Sequence, residues 1–508
     1  MAPSKPGIAA ALLLTAATAS PIAQPSYNID WQECNARKYP GLQCGVLKVP
    51  MDWDNSAASD TVLLDITRFP TNSSTRIGSL FVNPGGPGGP ASGMCIAAAD
   101  PNGAWTDAIL SHFDIICPEP RGVGQTSAVK CDPEIWMETP SYFTDDQASF
   151  DTVTAFNKRL GSSCLNMTGP LLGYVDTMSA AKDLDAIRQA LGEEKMNYLG
   201  YSYGTQLGSQ YAELFPDKIR AMVLDGNLDH GQSAIEMFVD DNYAMEDEVR
   251  RLLDWCDNNS TCAFHNATGG AVKAWTDMIE NANKHPIPAP GCGPSHAGEY
   301  TCKPNVTGYD IIFNLENYFP ALDWEGVSQN IKEAMDGNAT QLANPAPKNR
   351  ENTTAALEFS NLAIGCLDWH MDVNTIEEHQ ARTLLGKSMF PLTLGSGMAL
   401  QWATTCINWP FKPTNPQHEL DPAAMSRAPP ILLLQSTHDP ATPLSGAQTL
   451  IKQIPSAVMV VRSGDGHTSY GPGSPEITKL TDAYLVNLTV PDKGTIVQDV
   501  AQNPGGGL

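Results

Sequence analysis

Positive charge is scarce in this sequence. Its 508 residues carry 31 Lys and Arg against 56 Asp and Glu, which gives a formal net charge of −25. Because like charges repel, this balance argues against nucleic acid or an anionic membrane surface as a partner. No stretch after residue 19 is apolar for as long as a membrane-spanning helix needs. The C-terminal QNPGGGL also lacks the hydrophobic tail of a lipid-anchor signal, so we expect no membrane anchor.

Two patterns that would indicate a bound cofactor are missing as well. The sequence has 12 cysteines, but none lies in a Cys-x-x-Cys pair, the usual spacing of zinc and thiol-redox sites. The glycine-rich stretch FVNPGGPGGPASG (81–93) has no Gly-Lys-Ser/Thr ending, which disfavours a nucleotide-binding loop. We therefore expect neither a metal nor an organic cofactor.

The even number of cysteines favours disulfides, and hence an oxidising compartment. Sequence alone does not fix the connectivity. Pairing each cysteine with a near neighbour gives Cys34 with Cys44, Cys131 with Cys164, Cys256 with Cys262, Cys292 with Cys302, and Cys366 with Cys406.

Two further features predict a secreted glycoprotein. Residues 1–19 have a lysine, a short apolar stretch and the small-residue pattern Ala-Thr-Ala of a cleavage site, which is typical of a signal peptide; a buried core helix is the alternative. Potential N-glycosylation sites follow the Asn-x-Ser/Thr pattern. They begin at Asn72, Asn166, Asn258, Asn259, Asn266, Asn305, Asn338, Asn352 and Asn487.

The order of predicted elements indicates an α/β fold. Short apolar stretches closed by Pro or Gly predict strands at 61–69, 78–84 and 113–120, and strands alternate with helices between 177 and 226. This alternation predicts a mostly parallel sheet with helices on both faces. It stops near residue 230 and returns at PPILLLQST (429–437) and AVMVVRSG (457–464). We predict one α/β core, 20–230 and 421–508, split by a mainly helical cap at 231–420.

The stretch LGYSYGTQLG (199–208) places Ser202 between two glycines, after a predicted strand and before a predicted helix. This order is typical of a nucleophile elbow, in which glycines relieve crowding and the serine hydroxyl is presented at the helix N-terminus. The N–H of Tyr203 could then stabilise negative charge on a substrate carbonyl oxygen. An ordinary glycine-rich turn is the alternative.

A serine hydroxyl needs a base to take its proton, and in this arrangement an acid and then a histidine follow the serine. His467 lies in a glycine-rich loop after a predicted strand, and Asp439 follows the preceding strand. His230 is the rival base, although it comes too early in the order. Asp225, which ends a predicted strand, is the rival acid.

Several long motifs resemble the secreted tripeptidyl aminopeptidases and related prolyl aminopeptidases of the α/β-hydrolase superfamily. They are NPGGPGG, FDIICPEPRGVGQTS, MNYLGYSYGTQLGSQYAELFPDKIRAMVLDGNLD, AIGCLDW, ATTCINWP, ILLLQSTHDPATP and GDGHTSY, in that order along the chain. The chain has GGPASG where members often have Gly-Gly-Ser-Gly, and Glu119 where an aspartate is usual.

The resemblance implies an α/β-hydrolase fold and a serine peptidase. It implies Ser202 as nucleophile, Asp439 as acid and His467 as base. It also implies that Gly86 and Tyr203 donate the oxyanion-binding N–H groups, and that Cys131 pairs with Cys164. The predicted cap resembles the family least, so the resemblance does not identify the substrate.

The sequence is compatible with three hypotheses about function. The first is a secreted aminopeptidase in which cap carboxylates bind the substrate ammonium. The acidic stretch containing Asp240, Asp241, Glu246 and Glu248 is a candidate for that role, against a merely solvated face. The second is an esterase, lactonase or small-amide hydrolase that acts on a small metabolite. The third is a non-catalytic binding module on a hydrolase scaffold.

Overall fold

The computed structural model describes residues 27–34, 38–57, 59–292, 300–315, 323–343, 345–347 and 357–498. The predicted signal segment 1–19 and the glycosylation site at Asn352 lie outside these ranges. The strands are β1 Gln32–Glu33, β2 Gln43–Pro50, β3 Thr61–Phe69, β4 Gly78–Asn83, β5 Phe113–Pro118, β6 Met196–Tyr201, β7 Ile219–Asp225, β8 Ile287–Pro288, β9 Tyr300–Cys302, β10 Asn305–Val306, β11 Pro345–Pro347, β12 Ile431–His438, β13 Val458–Asp465 and β14 Ile496–Gln498.

Helices separate the strands between β4 and β7, and again after β12. The helices are α1 Ser92–Ala99, α2 Asp107–His112, α3 Pro133–Met137, α4 Gln147–Thr168, α5 Thr177–Ala190, α6 Tyr203–Leu214, α7 Ala234–Asn258, α8 Ala271–Lys284, α9 Gly308–Leu315, α10 Trp324–Met335, α11 Leu357–Asp368, α12 Ile376–Met389, α13 Met398–Thr405, α14 Pro422–Met425, α15 Leu444–Gln453 and α16 Pro475–Asn487.

A ten-stranded sheet, in the order β1-β2-β3-β5-β4-β6-β7-β12-β13-β14, forms the centre of the fold. The strands from β5 to β14 in this order are parallel, whereas β1, β2 and β3 pair antiparallel at one edge. The predicted α/β fold is confirmed.

The central strands are buried along most of their length because both faces of the sheet are covered. Every residue of β4 is buried. Phe81 packs with Leu207 of α6 in one core, whereas its neighbours Leu80 and Val82 pack with Ile477 of α16 in the other. A strand that is buried on both faces cannot show the alternation of a half-exposed strand.

Strand order also determines where a site can form. From β4 the chain moves to β5 on one side, and the later strand β6 lies on the other side. The carboxyl ends of β4 and β6 are therefore neighbours, with Asn83 opposite Gly200. Crevices for ligands form at such a reversal of winding.

The long interval between Asp225 and Ile431 contributes no strand to this sheet among the residues described. It supplies α7 to α14 and two small antiparallel pairs, β8 with β10 and β9 with β11. It also builds a separate hydrophobic core that includes Leu252, Trp275 and Ile331. The boundaries 231 and 420 of a distinct cap stay a prediction.

Candidate active site

Ser202 lies at the sharp turn between β6 and α6. Its backbone has φ 55° and ψ −126°, a left-handed conformation that is strained for a residue with a side chain. The flanking glycines make this turn sterically possible. A Cβ on Gly200 would lie 2.4 Å from the carbonyl oxygen of Gly204, and a Cβ on Gly204 would lie 2.9 Å from that of Asn83. The turn therefore presents the serine at the carboxyl edge of the sheet.

Asp439 and His467 form a hydrogen-bonded pair at the ends of neighbouring strands. Asp439 follows β12 directly, and His467 lies two residues after β13. The imidazole Nδ1 lies 2.8 Å from Asp439 Oδ1 and 3.0 Å from Oδ2. The carboxylate also accepts the N–H groups of Ala441 at 3.0 Å and Thr442 at 2.8 Å. These bonds fix the carboxylate and orient the imidazole.

The Asp439 carboxylate and the His467 imidazole each favour the charged form of the other. Burial would raise the pKa of the Asp439 carboxyl, but the nearby imidazole and the two backbone amides outweigh burial and lower it. Burial would likewise lower the pKa of His467, but the Asp439 carboxylate outweighs it and the net shift is upward. His467 keeps 12% of its side chain exposed, whereas that of Asp439 is fully buried.

The loop after β7 links the serine to the imidazole. The Ser202 N–H donates to the carbonyl oxygen of Asp225 at 2.9 Å. A Cβ on the next residue, Gly226, would lie 3.1 Å from His467 Cε1. Ser202 and His467 also line the same cavity. The structure thus brings the three predicted side chains to one end of the sheet.

The glycine-rich loop after β4 lies against Ser202. A Cβ on Gly85 would come within 2.8 Å of Ser202 Cβ and 3.2 Å of the Tyr203 nitrogen. The next residue, Gly86, has φ 115° and lines the cavity. Tyr203 is the first residue of α6, so its N–H has no partner inside that helix. Both predicted donors therefore belong to backbone segments beside Ser202.

Asp225 has a role that the sequence analysis missed. Its Oδ2 accepts the N–H groups of Ser469 at 2.9 Å and Tyr470 at 2.7 Å, the second and third residues after His467. Burial raises the pKa of this carboxyl to about 6. Asp225 therefore holds the loop that carries the imidazole, while Asp439 binds the imidazole itself. No sequence signal distinguishes these two strand-end aspartates except their order along the chain.

A buried polar cluster packs against α6, the helix that begins directly after Ser202. Asp368, at the end of α11, accepts the Thr177 N–H at 2.9 Å and the Asn415 amide at 2.8 Å. Thr177 also bonds the Tyr203 hydroxyl. Burial raises the pKa of Asp368 to about 7. This cluster joins elements that are far apart in sequence, so sequence patterns do not reveal it.

The rival histidine lies outside the cavity lining. The ring of His230 is buried, with Nε2 2.8 Å from the carbonyl oxygen of Asp368 and Nδ1 3.0 Å from the Gln210 amide. Burial lowers its pKa to about 4. His230 is therefore a packed, neutral core histidine. Glu119 accepts the N–H groups of Ala91 and Ser92 at 2.8 and 3.0 Å, and so holds the end of the glycine-rich loop.

The cavity above Ser202 measures about 940 Å³. Its lining includes Trp136 and Phe143, together with Met398 and Trp402 of α13. The Phe143 ring stacks on Tyr309 of α9 with 3.7 Å between ring centroids, which joins two parts of the wall. Such a pocket accommodates an extended or partly folded ligand of several residues.

Within the described residues, no group of three or more His, Cys, Asp or Glu side chains is arranged to hold a metal ion. The helices in the same ranges are too short or too polar to cross a bilayer.

Six disulfides are present. They join Cys34 to Cys44, Cys95 to Cys117, Cys131 to Cys164, Cys256 to Cys262, Cys292 to Cys302, and Cys366 to Cys406. The pair Cys95–Cys117, which links α1 to β5, had no prediction. Among the potential glycosylation sites, Asn259 and Asn338 are half-buried, and the exposed ones are Asn72, Asn166, Asn258, Asn266, Asn305 and Asn487.

Comparison with known proteins agrees with this geometry. Residues 78–294 match the family described as alpha/beta hydrolase fold, and residues 391–497 match the family described as TAP-like protein. Serine protease Hip1 of Mycobacterium tuberculosis is 30% identical over 500 residues, which cover 92% of this chain and 90% of the relative. Tripeptidyl aminopeptidase of Streptomyces coelicolor is 28% identical over 496 residues, 94% of this chain and 86% of the relative. Carboxylesterase B of Mycobacterium tuberculosis is 28% identical over 489 residues, 93% and 90% of the two chains.

Proposed function

Because the chain belongs to the tripeptidyl aminopeptidase-like family of α/β-hydrolases, which are serine peptidases, we propose that it releases short peptides or single residues from peptide N-termini. The enzyme is a serine hydrolase of the peptidase class. The proposed reaction proceeds through an acyl-enzyme on Ser202. The observation that carries this proposal is the Asp439–His467 pair, 2.8 Å apart, at the cavity that Ser202 also lines.

His467 acts first as a base in this proposal. Its Nδ1 is occupied by Asp439, so Nε2 remains to take the Ser202 hydroxyl proton as the oxygen attacks the substrate carbonyl. The Asp439 carboxylate stabilises the imidazolium that forms. The N–H groups of Gly86 and Tyr203 stabilise the negative oxygen of the tetrahedral intermediate.

The imidazolium then donates its proton to the leaving amine, which departs as the new N-terminus of the shortened peptide. Water enters the vacated space and His467 takes its proton, so that hydroxide attacks the acyl-enzyme. The same backbone donors stabilise the second tetrahedral intermediate. As its bond to Ser202 Oγ breaks, the imidazolium returns the proton to this oxygen, which regenerates the serine and releases the acyl product as a carboxylic acid.

The first test combines active-site labelling with substrate profiling. A fluorophosphonate probe should label the wild-type protein, and Ser202→Ala should abolish labelling and lower kcat by at least about 10⁴-fold. A peptide library with free and blocked amino ends should be cleaved only near free amines. Cleavage far from any free N-terminus would contradict the aminopeptidase assignment, and labelling that persists in Ser202→Ala would contradict the nucleophile.

An esterase acting on a small metabolite is the second candidate. Two observations favour it: a relative of similar coverage is named Carboxylesterase B, and most of the surface that lines the cavity is apolar. Comparing aminoacyl or peptidyl amides with aryl esters of matched size separates the two. An enzyme that hydrolyses the esters alone, with no dependence on a free amine, is an esterase.

We also propose that the protein is secreted and N-glycosylated. The six disulfides suit an oxidising compartment, and most of the potential glycosylation sites are exposed. The protein purified from the culture medium of the organism that naturally makes it should lose mass when it is treated with an amidase that removes N-glycans. Unchanged mass would contradict the glycosylation.

A further inference from the structure

The first turn of α11 packs on the loop that carries Gly86. A Cβ on Gly88 would lie 3.0 Å from the carbonyl oxygen of Leu357 and 3.1 Å from the Asn361 nitrogen. The Asn361 amide also donates to the carbonyl oxygen of Pro87, the residue after Gly86, at 3.3 Å. The start of α11 is therefore fixed beside the place where the substrate's acyl group would bind.

Glu358 lies in this turn and lines the same cavity as Ser202 and Gly86. It is three residues before Asn361, so the two side chains share a face of α11. Its Oε2 is buried and receives no hydrogen bond from any described residue. Burial raises the pKa of this carboxyl above its ordinary value. The backbone N–H of Glu358 itself reaches this carboxyl group, but a buried carboxylate oxygen that has no donor is still unfavourable.

The other carboxylates that the structure describes in the cavity lining accept hydrogen bonds from other residues. Asp229 accepts from the Gly231 N–H and the Gln453 amide, both at 2.8 Å. Asp240 accepts from the Gln232 amide at 2.6 Å.

The two remaining cavity carboxylates also have donors. Asp241 accepts the Ala399 N–H at 3.1 Å, and Asp310 accepts the Thr307 N–H at 3.0 Å. Glu246, which the sequence suggested, is held by the N–H groups of Leu392 and Thr393, both at 3.0 Å, and does not line the cavity.

An ionised carboxylate only accepts hydrogen bonds, so its missing partner must be a donor, and a cationic donor adds charge attraction. The lysine on the cavity wall, Lys303, already pairs with Asp310 at 3.5 Å. One carboxylate is too few ligands for a hard metal ion. An ammonium group on the substrate meets the requirement.

We propose that Glu358 binds the free α-ammonium of the peptide substrate and thereby restricts the enzyme to N-termini. This assignment rests on the proposed aminopeptidase function and names the residue that enforces it. Glu358 and the Gly86 loop are in neighbouring segments, so the ammonium and the carbonyl under attack belong to the same short acyl portion of the substrate.

The test uses Glu358→Gln, which keeps size and shape but removes the negative charge. Three reporters are needed: a peptidyl amide with a free amine, its N-acetyl counterpart, and an aryl acetate without an amine. We expect kcat/KM for the free-amine reporter to fall about 10- to 100-fold, the loss of one charge-assisted hydrogen bond. Hydrolysis of the other two reporters and fluorophosphonate labelling should be unchanged. The matched control is Asp240→Asn, because that cavity carboxylate already has a donor in Gln232.

The outcomes separate this assignment from the function on which it rests. If the wild-type enzyme hydrolyses the free and acetylated reporters equally, the aminopeptidase function is wrong and the assignment falls with it. If the wild type prefers the free amine and Glu358→Gln keeps that preference, the assignment alone is overturned. An equal loss of preference in Asp240→Asn also overturns it.

A pH profile of the wild-type enzyme tests the same assignment without any variant. The ratio of kcat/KM for the free-amine reporter to that for the acetylated reporter cancels the titration of His467. This ratio should rise with pH as Glu358 ionises, and fall again as the substrate amine loses its proton near pH ~8. A ratio that does not change with pH overturns the assignment.

Discussion

At the scale of single residues, the two strand-end aspartates near His467 have different roles. Asp439 bonds the imidazole directly, and Asp225 bonds the backbone two and three residues further along. Both carboxylates are buried and accept two backbone amides, but only Asp439 is also hydrogen-bonded to the imidazole, so the pKa of Asp439 is lowered whereas burial raises that of Asp225. Replacing Asp439 should therefore affect the chemistry, whereas replacing Asp225 should affect how the loop is held.

Asp439→Asn should lower kcat by about 10⁴-fold, because the amide no longer stabilises the imidazolium or fixes the right tautomer. The acidic limb of the kcat/KM profile should move as well. His467 must be neutral to act as a base, so activity rises as pH passes upward through its pKa. Asp439 raises this pKa, so the limb should move to lower pH in the variant.

Residual activity and its pH profile, measured with a peptidyl reporter, check this prediction. Asp225→Asn is the comparison, since its amide oxygen can still accept the Ser469 and Tyr470 N–H groups. It should retain most of the activity. The roles would be reversed if Asp225→Asn were the more damaging change.

The proposed nucleophile and base could be predicted from the sequence because each has a local signal. Ser202 lies between two glycines that the turn requires, and His467 lies in a glycine-rich loop after a strand. Asp368 and Glu358 have no such signal. Their importance depends on which distant segments surround them, and sequence patterns do not report long-range contacts of this kind.

At the scale of elements, helix α7 contacts both loops that carry the acid and the base. Asp247 lies 2.7 Å from Nδ1 of His438, the residue before Asp439. One turn further on, Arg251 pairs with Asp465, two residues before His467. These two pairs attach α7, which lies between β7 and β12 in the chain, to the loops that carry Asp439 and His467.

Arg251→Gln should therefore lower kcat/KM by about 2- to 5-fold through looser positioning of the His467 loop, a cost typical of one partly exposed ion pair. Thermal stability should change little. Lys273→Gln is the control, because it breaks the exposed pair with Asp277 on α8, away from the catalytic loops. Kinetics and melting temperatures of both variants check the prediction; equal kinetics in the two variants would contradict it.

Burial explains part of what could be predicted about the strands. The strands β3, β4, β5, β12 and β13 were predicted within two residues at each end. Strands β4, β5 and most of β12 are buried on both faces and read as continuous apolar runs. Strands β3 and β13 alternate buried and less buried positions, but they are rich in β-branched residues. Strand β2 was missed: its exposed Val46 interrupts the alternation of polar and apolar positions that a half-buried strand needs. The edge strands β1 and β14 span two and three residues, too few to form a pattern.

At the scale of the whole molecule, buried ionisable groups of opposite type control how stability depends on pH. Burial lowers the pKa of His230 and of His379 to about 4. Each is neutral in the folded state but gains a proton when unfolded below about pH 6.5. The folded state therefore loses stability as pH falls from about 6.5 to 4.

Buried carboxyls act in the opposite direction. Burial raises the pKa of Asp225 to about 6, of Asp368 to about 7 and of Glu248 to about 8. Each stays protonated in the folded state at pH values where the unfolded chain has released the proton. The folded state therefore loses stability as pH rises towards these values, and above pH 6.5 no change at the two histidines offsets the loss. These groups together should make the folded state less stable at pH 8 than at pH 6.

Glu248 should dominate the loss at higher pH. Its Oε1 accepts the Trp324 indole N–H at 3.1 Å, and its Oε2 is buried with no donor among the described residues. Asp465 and Asp247 nearby also oppose its ionisation, and Arg251 compensates only in part. Between pH 6 and pH 8 this group alone should cost the folded state about 2–3 kcal/mol.

Glu248→Gln should remove that cost, because the amide resembles the protonated acid and can still accept from Trp324. Its melting temperature should exceed that of the wild type by about 2–4 °C at pH 8, and the difference should shrink steadily towards pH 5. Glu333→Gln, which changes an exposed carboxylate on α10, is the matched control and should show no such trend. Thermal unfolding of the three proteins from pH 5 to pH 8 measures this. A difference between Glu248→Gln and the wild type that stayed constant with pH would mean that Glu248 has the same pKa in the folded and unfolded chains.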